Sequence, residues 1–238
     1  MNTLKGALYL IPTRLGDNPP LEVLPMSIKK VIEDLDYYIV ENEKTARRFI
    51  KRVSPSKSQP SLKLSVLNKY TTEGERNNYL NPCLEGESIG LLSEAGSPAV
   101  ADPGSDIVSM AHQLNIRVIP LVGPSSIILG LMASGMNGQS FCFHGYLPID
   151  KNERKTKLKA LERQSKELNQ AQIFIETPYR NMNMLNDLAR VLHPQTRVCV
   201  ACDLTLPTEF SKTMPASAWK NNEEDLHKRP AIFILQKD

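Results

Sequence analysis

The feature that most constrains the fold is an alternation along the chain. Short apolar, β-prone runs are separated repeatedly by segments of helical periodicity. Strand-like runs fall at residues 7–11, 37–40, 64–67, 89–92 and 118–122, with helical patterns at 27–35, 43–53, 77–84 and 106–114 between them. A second series places strands at 141–146, 172–176, 197–202 and 231–235, and helices at 152–168 and 181–192. A helix after a strand carries the chain back over the sheet, so the next strand lies parallel to the last. The expectation is an α/β protein with mostly parallel sheets, built as two α/β domains, 1–120 and 121–238.

Length and composition agree with this. The 238 residues are 41% apolar, enough to build two real cores. A net charge of only +3 excludes a globally basic nucleic-acid binder, so any basic surface must be local. No apolar run approaches the roughly 20 residues of a membrane span, and the N-terminal segment lacks the pattern of a signal peptide. Four cysteines, Cys83, Cys142, Cys199 and Cys202, form no paired framework, which suggests reduced thiols and a cytoplasmic protein. Cys199 and Cys202 are three apart in a strand-like run, so they face opposite ways and make a poor metal site; no metal is expected.

In open α/β sheets ligands gather beyond the carboxyl ends of strands. The loops there are unusual: "PTRLGDNPP" after the first run, "SEAGSPAVADPG" after the fourth, "GPSS" after the fifth, and "ETPYR" later. Glycine and small residues let backbone approach a ligand closely, and such loops together would suit a nucleoside-sized molecule. The familiar alternatives lack their signatures. There is no G-x-G-x-x-G, no Walker A loop and no G-x-S-x-G elbow, and the four histidines are scattered.

Taken in order, "PTRLGD", "VENEKTARR", "SEAGSPAVADPG", "VIPLVGPSS", "LMASGM", "FCFHGYLP" and "ETPYR" resemble the tetrapyrrole methylase superfamily over nearly the whole chain. Within it the chain looks most like the ribosomal RNA small subunit methyltransferase I branch, whose members 2′-O-methylate a cytidine of 16S ribosomal RNA. The resemblance implies S-adenosyl-L-methionine as cofactor, a ligand cleft between the two domains, and a homodimer. Carried over by position, Pro12 and Thr13 would wall the donor on the first strand. Ala95, Gly96, Ser97, Pro98 and Val100 would line it, with Asp102 bracing the loop. Ser125 and Ser126 match a small-residue pair, and Ala201, Pro230 and Ala231 match positions near the adenine and the far side of the donor, with Glu176 and Thr177 at the edge of the same cleft.

The donor methyl is already activated, so alignment supplies much of the rate, but a hydroxyl acceptor must still lose a proton. Arg14, Glu94 and Glu176 are the catalytic candidates, with Asp17 and Glu41 behind them. The acceptor-facing motifs depart from the branch pattern at residues 13–18, 41–44 and 202–206, and the chain stops soon after the last strand, without a C-terminal segment common in that branch. Residues 150–167 carry seven basic side chains that could grip phosphates, Arg154 among them; the same run also reads as a solvated helix face. Ribosomal RNA or the small ribosomal subunit is the expected partner. A methyltransferase acting on a tetrapyrrole or other small molecule, and a donor-binding module without catalysis, are the alternatives.

Overall fold

A computed structural model describes residues 5–238. The chain forms two compact units, the first running to Ser125 and the second spanning Ser126–Asp238.

The first unit contains β1 (Ala7–Ile11), α1 (Met26–Asp34), β2 (Tyr37–Val40), α2 (Glu43–Val53), β3 (Lys63–Val66), α3 (Glu73–Arg76), α4 (Asn81–Leu84), β4 (Ile89–Leu92), α5 (Ser105–Gln113) and β5 (Arg117–Pro120). Its five strands pair in the order β3-β2-β4-β1-β5, every pair parallel. The central strand β4, "IGLL", is buried at all four positions, as a strand covered on both faces must be. One core packs Ile28 and Ile32 of α1 with Phe49 and Ile50 of α2. The other packs Leu80, Cys83 of α4, and Ile107 and Ala111 of α5. Each such aliphatic side chain, fully buried, contributes about 1.5–3 kcal/mol. The helical pattern expected at 77–84 is realised only in part. Thr72 starts α3 with a reciprocal cap to Glu75, and Pro82 stands in the first turn of α4, so two short helices replace one.

The second unit contains α6 (Ser126–Ser134), β6 (Phe141–Tyr146), α7 (Lys151–Leu168), β7 (Ala171–Ile175), α8 (Asn181–Val191), β8 (Arg197–Cys202), β9 (Phe210–Pro215) and β10 (Ala231–Gln236). The α/β class holds, but this sheet is not mostly parallel. Its order is β6-β7-β10-β8-β9, and only β6 with β7 is parallel. Strand β10 runs antiparallel to both neighbours, and β8 antiparallel to β9. The physical reason is the connection: residues 203–209 hold no helix, and so short a link returns the chain beside β8 in the opposite direction.

One core holds this unit together, built on Leu158 and Leu161 of α7, Leu185 and Leu188 of α8, and Trp219. Phe174 and Phe233 stack in it with ring centres 5.9 Å apart, worth about 0.5–1.5 kcal/mol beyond burial. Arg154 does not reach outward for phosphates. It is buried, donates to the Asp187 carboxylate of α8 at 2.5 and 2.8 Å and caps the Ile149 carbonyl at 2.7 Å. Cys199 and Cys202 are both buried and free; Cys202 lies in this core and Cys199 does not, as their spacing requires.

Candidate active site

In the first unit, β1 leads leftward to β2 and β4 leads rightward past β1 to β5. The helices that follow them therefore lie on opposite faces: α1 and α2 share one core, α5 the other. Beyond the carboxyl ends of the adjacent strands β1 and β4 the two loops diverge, which is where an open α/β sheet has its crevice. Three hydrogen bonds stitch the mouth of that crevice. The Thr13 N–H donates to the Gly96 carbonyl at 2.9 Å. The buried Ser93 hydroxyl donates to the same carbonyl at 2.7 Å, and the Thr13 and Ser93 hydroxyls lie 3.4 Å apart.

The loop 93–104 is shaped by backbone rather than by side chains. Gly96, Ala99, Ala101 and Gly104 all have positive φ, at 77°, 63°, 62° and 131°. Alanine in that region costs of order 1 kcal/mol or more, so the conformation is imposed by what surrounds it. At Gly104 a Cβ would stand 2.7 Å from the Leu91 side chain, and only glycine fits. On the far side Ser97 donates weakly to the Pro124 carbonyl at 3.4 Å. A Cβ on Gly123 would stand 2.2 Å from Pro12 Cγ, so β5's following turn lies directly against the first-strand loop. Pro98 is buried, Ala95 and Val100 are exposed, and Ser125 is half-buried.

Asp102 does not brace this loop. No hydrogen bond holds its carboxylate among the described residues, and burial together with the Glu94 charge pushes its pKa up to about 6. Glu41, at the end of β2, is raised as well, by burial first and then by Asp102 and Glu94, against the Glu94 N–H that donates to it at 3.4 Å. Three carboxylates thus gather beyond the carboxyl ends of β2 and β4, with no cation paired to them among the described residues.

Beside them opens a cleft of about 320 Å³, lined by Thr13–Asp17, by Thr45–Ala46 and Arg48–Phe49 of α2, and by Leu92–Ala95. Arg14 and Glu94 both border it. Arg14 donates to the Asp17 carboxylate at 3.1 Å and to the Asn18 carbonyl. Asp17 also receives Arg52, and the two guanidiniums hold its carboxyl below the usual range. Glu94 is exposed and accepts the Thr45 hydroxyl at 2.6 Å.

In the second unit Glu176, Ala201, Pro230 and Ala231 fall at or just beyond one end of the strands. Ile175, Ile232 and Ala201 lie in register across β7, β10 and β8, with Ala231 opposite Cys202. Ala201 and Ala231 are buried, and a Cβ on Gly130 of α6 would come within 3.7 Å of the Ala201 methyl. Ser126 opens α6, and Pro230 is exposed, its carbonyl receiving the Asp203 N–H at 3.0 Å. Glu176 follows β7 and is buried. Its Oε1 is taken by Arg180 at 2.6 Å and by the Thr177 N–H at 2.6 Å, so this carboxylate organises its own turn.

The fold recurs in solved structures. The methyltransferase CobJ matches with a TM-score of 0.64 at 13% identity, covering 98% of this chain and 94% of that one. A cobalt precorrin-4 methyltransferase of cobalamin biosynthesis matches with a TM-score of 0.59 at 14% identity, covering 97% and 94%. In sequence, the ribosomal RNA small subunit methyltransferase I of Escherichia coli O157:H7 is 28% identical over 235 residues, 98% of this chain and 78% of that protein. The chain is a methyltransferase of the tetrapyrrole methylase fold. No family model matches it.

Within this methylase fold, some residues that shape the crevice carry no signal of their own in the sequence. Ser93 joins both loops through its hydroxyl, yet reads as an ordinary strand terminator. Thr45, Arg48 and Phe49 border the cleft because α2 begins directly after β2, where Asn42 caps it by accepting from the N–H groups of Lys44 and Thr45. The helical pattern at 43–53 was legible in the sequence; its turn toward the crevice was not. Among the described residues no cluster could hold a metal ion, and no helix is long and apolar enough to cross a membrane.

Proposed function

We propose that this methyltransferase uses S-adenosyl-L-methionine to methylate the 2′-hydroxyl of a cytidine ribose in 16S ribosomal RNA, with the small ribosomal subunit as the physical substrate and a homodimer as the working form. The observation that carries the donor half of this reading is the stitched crevice between β1 and β4. There the strained loop 93–104 presents small residues beside carboxylates that have no cation partner among the described residues.

The residues present suit such a donor. It is a cation at sulfur and at its amino group; burial first, and neighbouring carboxylates second, raise the pKa values of Glu41 and Asp102, and a cation placed beside them offsets both costs. Pro12, Thr13, Ala95, Gly96, Ser97, Pro98 and Val100 would hold it in the first unit, with Ser125 at the end of that unit. Ser126, Ala201, Pro230 and Ala231 are the candidates in the second unit. When bound, the donor supplies an activated methyl group for in-line displacement.

The chain's own residues must then orient the acceptor and take its proton. Glu94, exposed at the cleft and already accepting one hydroxyl from Thr45, is the group placed to accept another. Arg14, tied to Asp17 and the Asn18 carbonyl, presents a fixed positive charge to the same cleft, suited to a phosphate or a developing alkoxide. Glu176, engaged with Arg180, acts as a positioning group rather than as the base.

The acceptor half rests on the ribosomal RNA methyltransferase relative at 28% identity over 98% of the chain. The test is incubation with labelled donor and small subunits from cells lacking the protein, followed by mapping of the modified nucleotide. Label at a single cytidine ribose is the expected result. Unlabelled subunits, with label entering a tetrapyrrole instead, would overturn the reading.

A further inference from the structure

Two helices are rich in cations, and they use them differently. On α2, three of the five cations are tied, Arg47 by Glu43 and the Gln59 carbonyl, Lys51 by the Pro55 carbonyl and Arg52 by Asp17, while Lys44 and Arg48 have no partner among the described residues and form no regular row. On α7, Lys151, Lys155, Lys159 and Arg163 recur at every fourth residue, all exposed. Among the described residues the three lysines have no carboxylate within ion-pair distance, and Arg163 meets only Glu167, at 3.8 Å and with both side chains largely in solvent. Repeated like charges at this spacing oppose helix formation, so nothing inside the fold accounts for the pattern.

The helix is nevertheless held firmly. Asp150 caps its start through the N–H groups of Asn152 and Glu153, the left-handed Asn169 closes its end, and Leu158, Leu161, Ser165 and Arg154 anchor its inner side. The Ser165 hydroxyl also accepts the Lys237 N–H at 3.0 Å. Successive cations therefore stand about 6 Å apart along the axis, slanting by about 40° at each step, a spacing close to that of phosphates on an extended strand. The row starts where β6 ends. Because β6 is parallel to β7, that is the edge of the sheet where Glu176 stands, and α7 carries the charges away from it.

We infer that the exposed row Lys151, Lys155, Lys159 and Arg163 is a phosphate track that guides the RNA backbone on the second unit. This rests on the ribosomal RNA reading above and gives it a surface. A track of this kind positions the strand without reading its sequence. A lipid surface fits less well, since a helix that lies in a membrane interface must offer an apolar face to it, and the apolar side of α7 is buried in the core.

The test is a salt titration of binding to a 16S ribosomal RNA fragment by the full chain, by Lys155→Ala with Lys159→Ala, and by Lys30→Ala with Lys220→Ala as a charge-matched control on exposed lysines elsewhere. Donor affinity, measured alongside, reports that each variant is folded. Removing two track cations is expected to flatten the slope of log affinity against log salt by about 1.4 and to weaken binding tenfold or more near 0.1 M salt, with the control close to the parent. An unchanged slope in the track variant overturns the inference and leaves the methylation reading standing. An equal loss in the control also overturns it, showing diffuse attraction instead. A parent chain without salt-dependent RNA affinity defeats both readings. Loss of binding to phosphatidylserine vesicles with RNA affinity intact would assign the row to a membrane and overturn the track.

Discussion

The loop 93–104 of the first unit and the loop 203–209 of the second both hold non-glycine residues in the left-handed region, but they are held there by different means. Asp203 and Thr205 have φ of 51° and 75°. Around them, Arg229 donates to the Asp203 carboxylate at 2.8 Å, Thr208 donates to it at 2.9 Å, and Glu209 accepts the Thr205 N–H at 2.6 Å. In the loop 93–104 the ties run mainly through backbone carbonyls, and the one central carboxylate, Asp102, is left alone. The second loop has its carboxylates paired, with Arg229 reaching in from outside the loop. The first keeps unbalanced charge at Asp102, as a surface that receives a cationic ligand should.

The largest expected effect breaks the backbone-held loop. Gly104→Ala adds a Cβ against the buried Leu91 at a φ that L side chains rarely adopt, and should cost about 3–5 kcal/mol in denaturant unfolding and abolish donor binding. Unchanged stability would mean that the loop is not fixed where the backbone places it. Next comes the side-chain-held loop: Arg229→Ala leaves the buried Asp203 carboxylate without its cation and should cost about 3 kcal/mol. Donor affinity per folded molecule should fall less than for the glycine variant; an equal fall would erase the distinction between the loops.

Smaller changes sharpen the contrast. Thr205 combines β-branching at positive φ with a buried hydroxyl that lacks a partner, so Thr205→Gly should stabilise by roughly 1 kcal/mol, read as a raised thermal midpoint. At Asp102 the folded pKa, about 6, lies above the ordinary 3.8, so the fold favours the protonated carboxyl. That contribution is fully present below pH 3.8 and is lost as pH rises through about 6. Asp102→Asn should remove this slope and stabilise the protein at pH 8 by no more than about 1 kcal/mol, the partial exposure of the group limiting the gain. A stability profile as steep in Asp102→Asn as in the parent would assign the titration elsewhere. Saturating donor should flatten the parent's profile, because a cationic ligand lowers the pKa of the carboxylate it meets.

These regions also show what a sequence discloses. The strands of the first unit were legible because a doubly covered parallel strand is a plain apolar run, as "ALYLI" and "IGLL" are. Two elements of the second unit were not. Strand β9, "FSKTMP", lies at a sheet edge with most of its residues in contact with solvent, so neither composition nor alternation marks it. Helix α6, "SIILGLMAS", has no charged residue and buries only some of its apolar positions, so it shows no helical stripe. The crevice loops stood out through their glycines and prolines, whereas the fate of Arg154 depended on Asp187, a partner 33 residues away that no local pattern announces.

The position of β10 bears on how the chain is made. It lies in the middle of its sheet, between β7 and β8. The first unit has all its strands once Pro120 has been synthesised, and can fold while synthesis continues. The second cannot: until β10 emerges, β7 and β8 each expose an unpaired edge, for an interval of several seconds at ordinary rates of elongation. During that interval the nascent chain is half native and half adhesive, and a chaperone that shields strand edges would matter more to its yield than any gain in final stability.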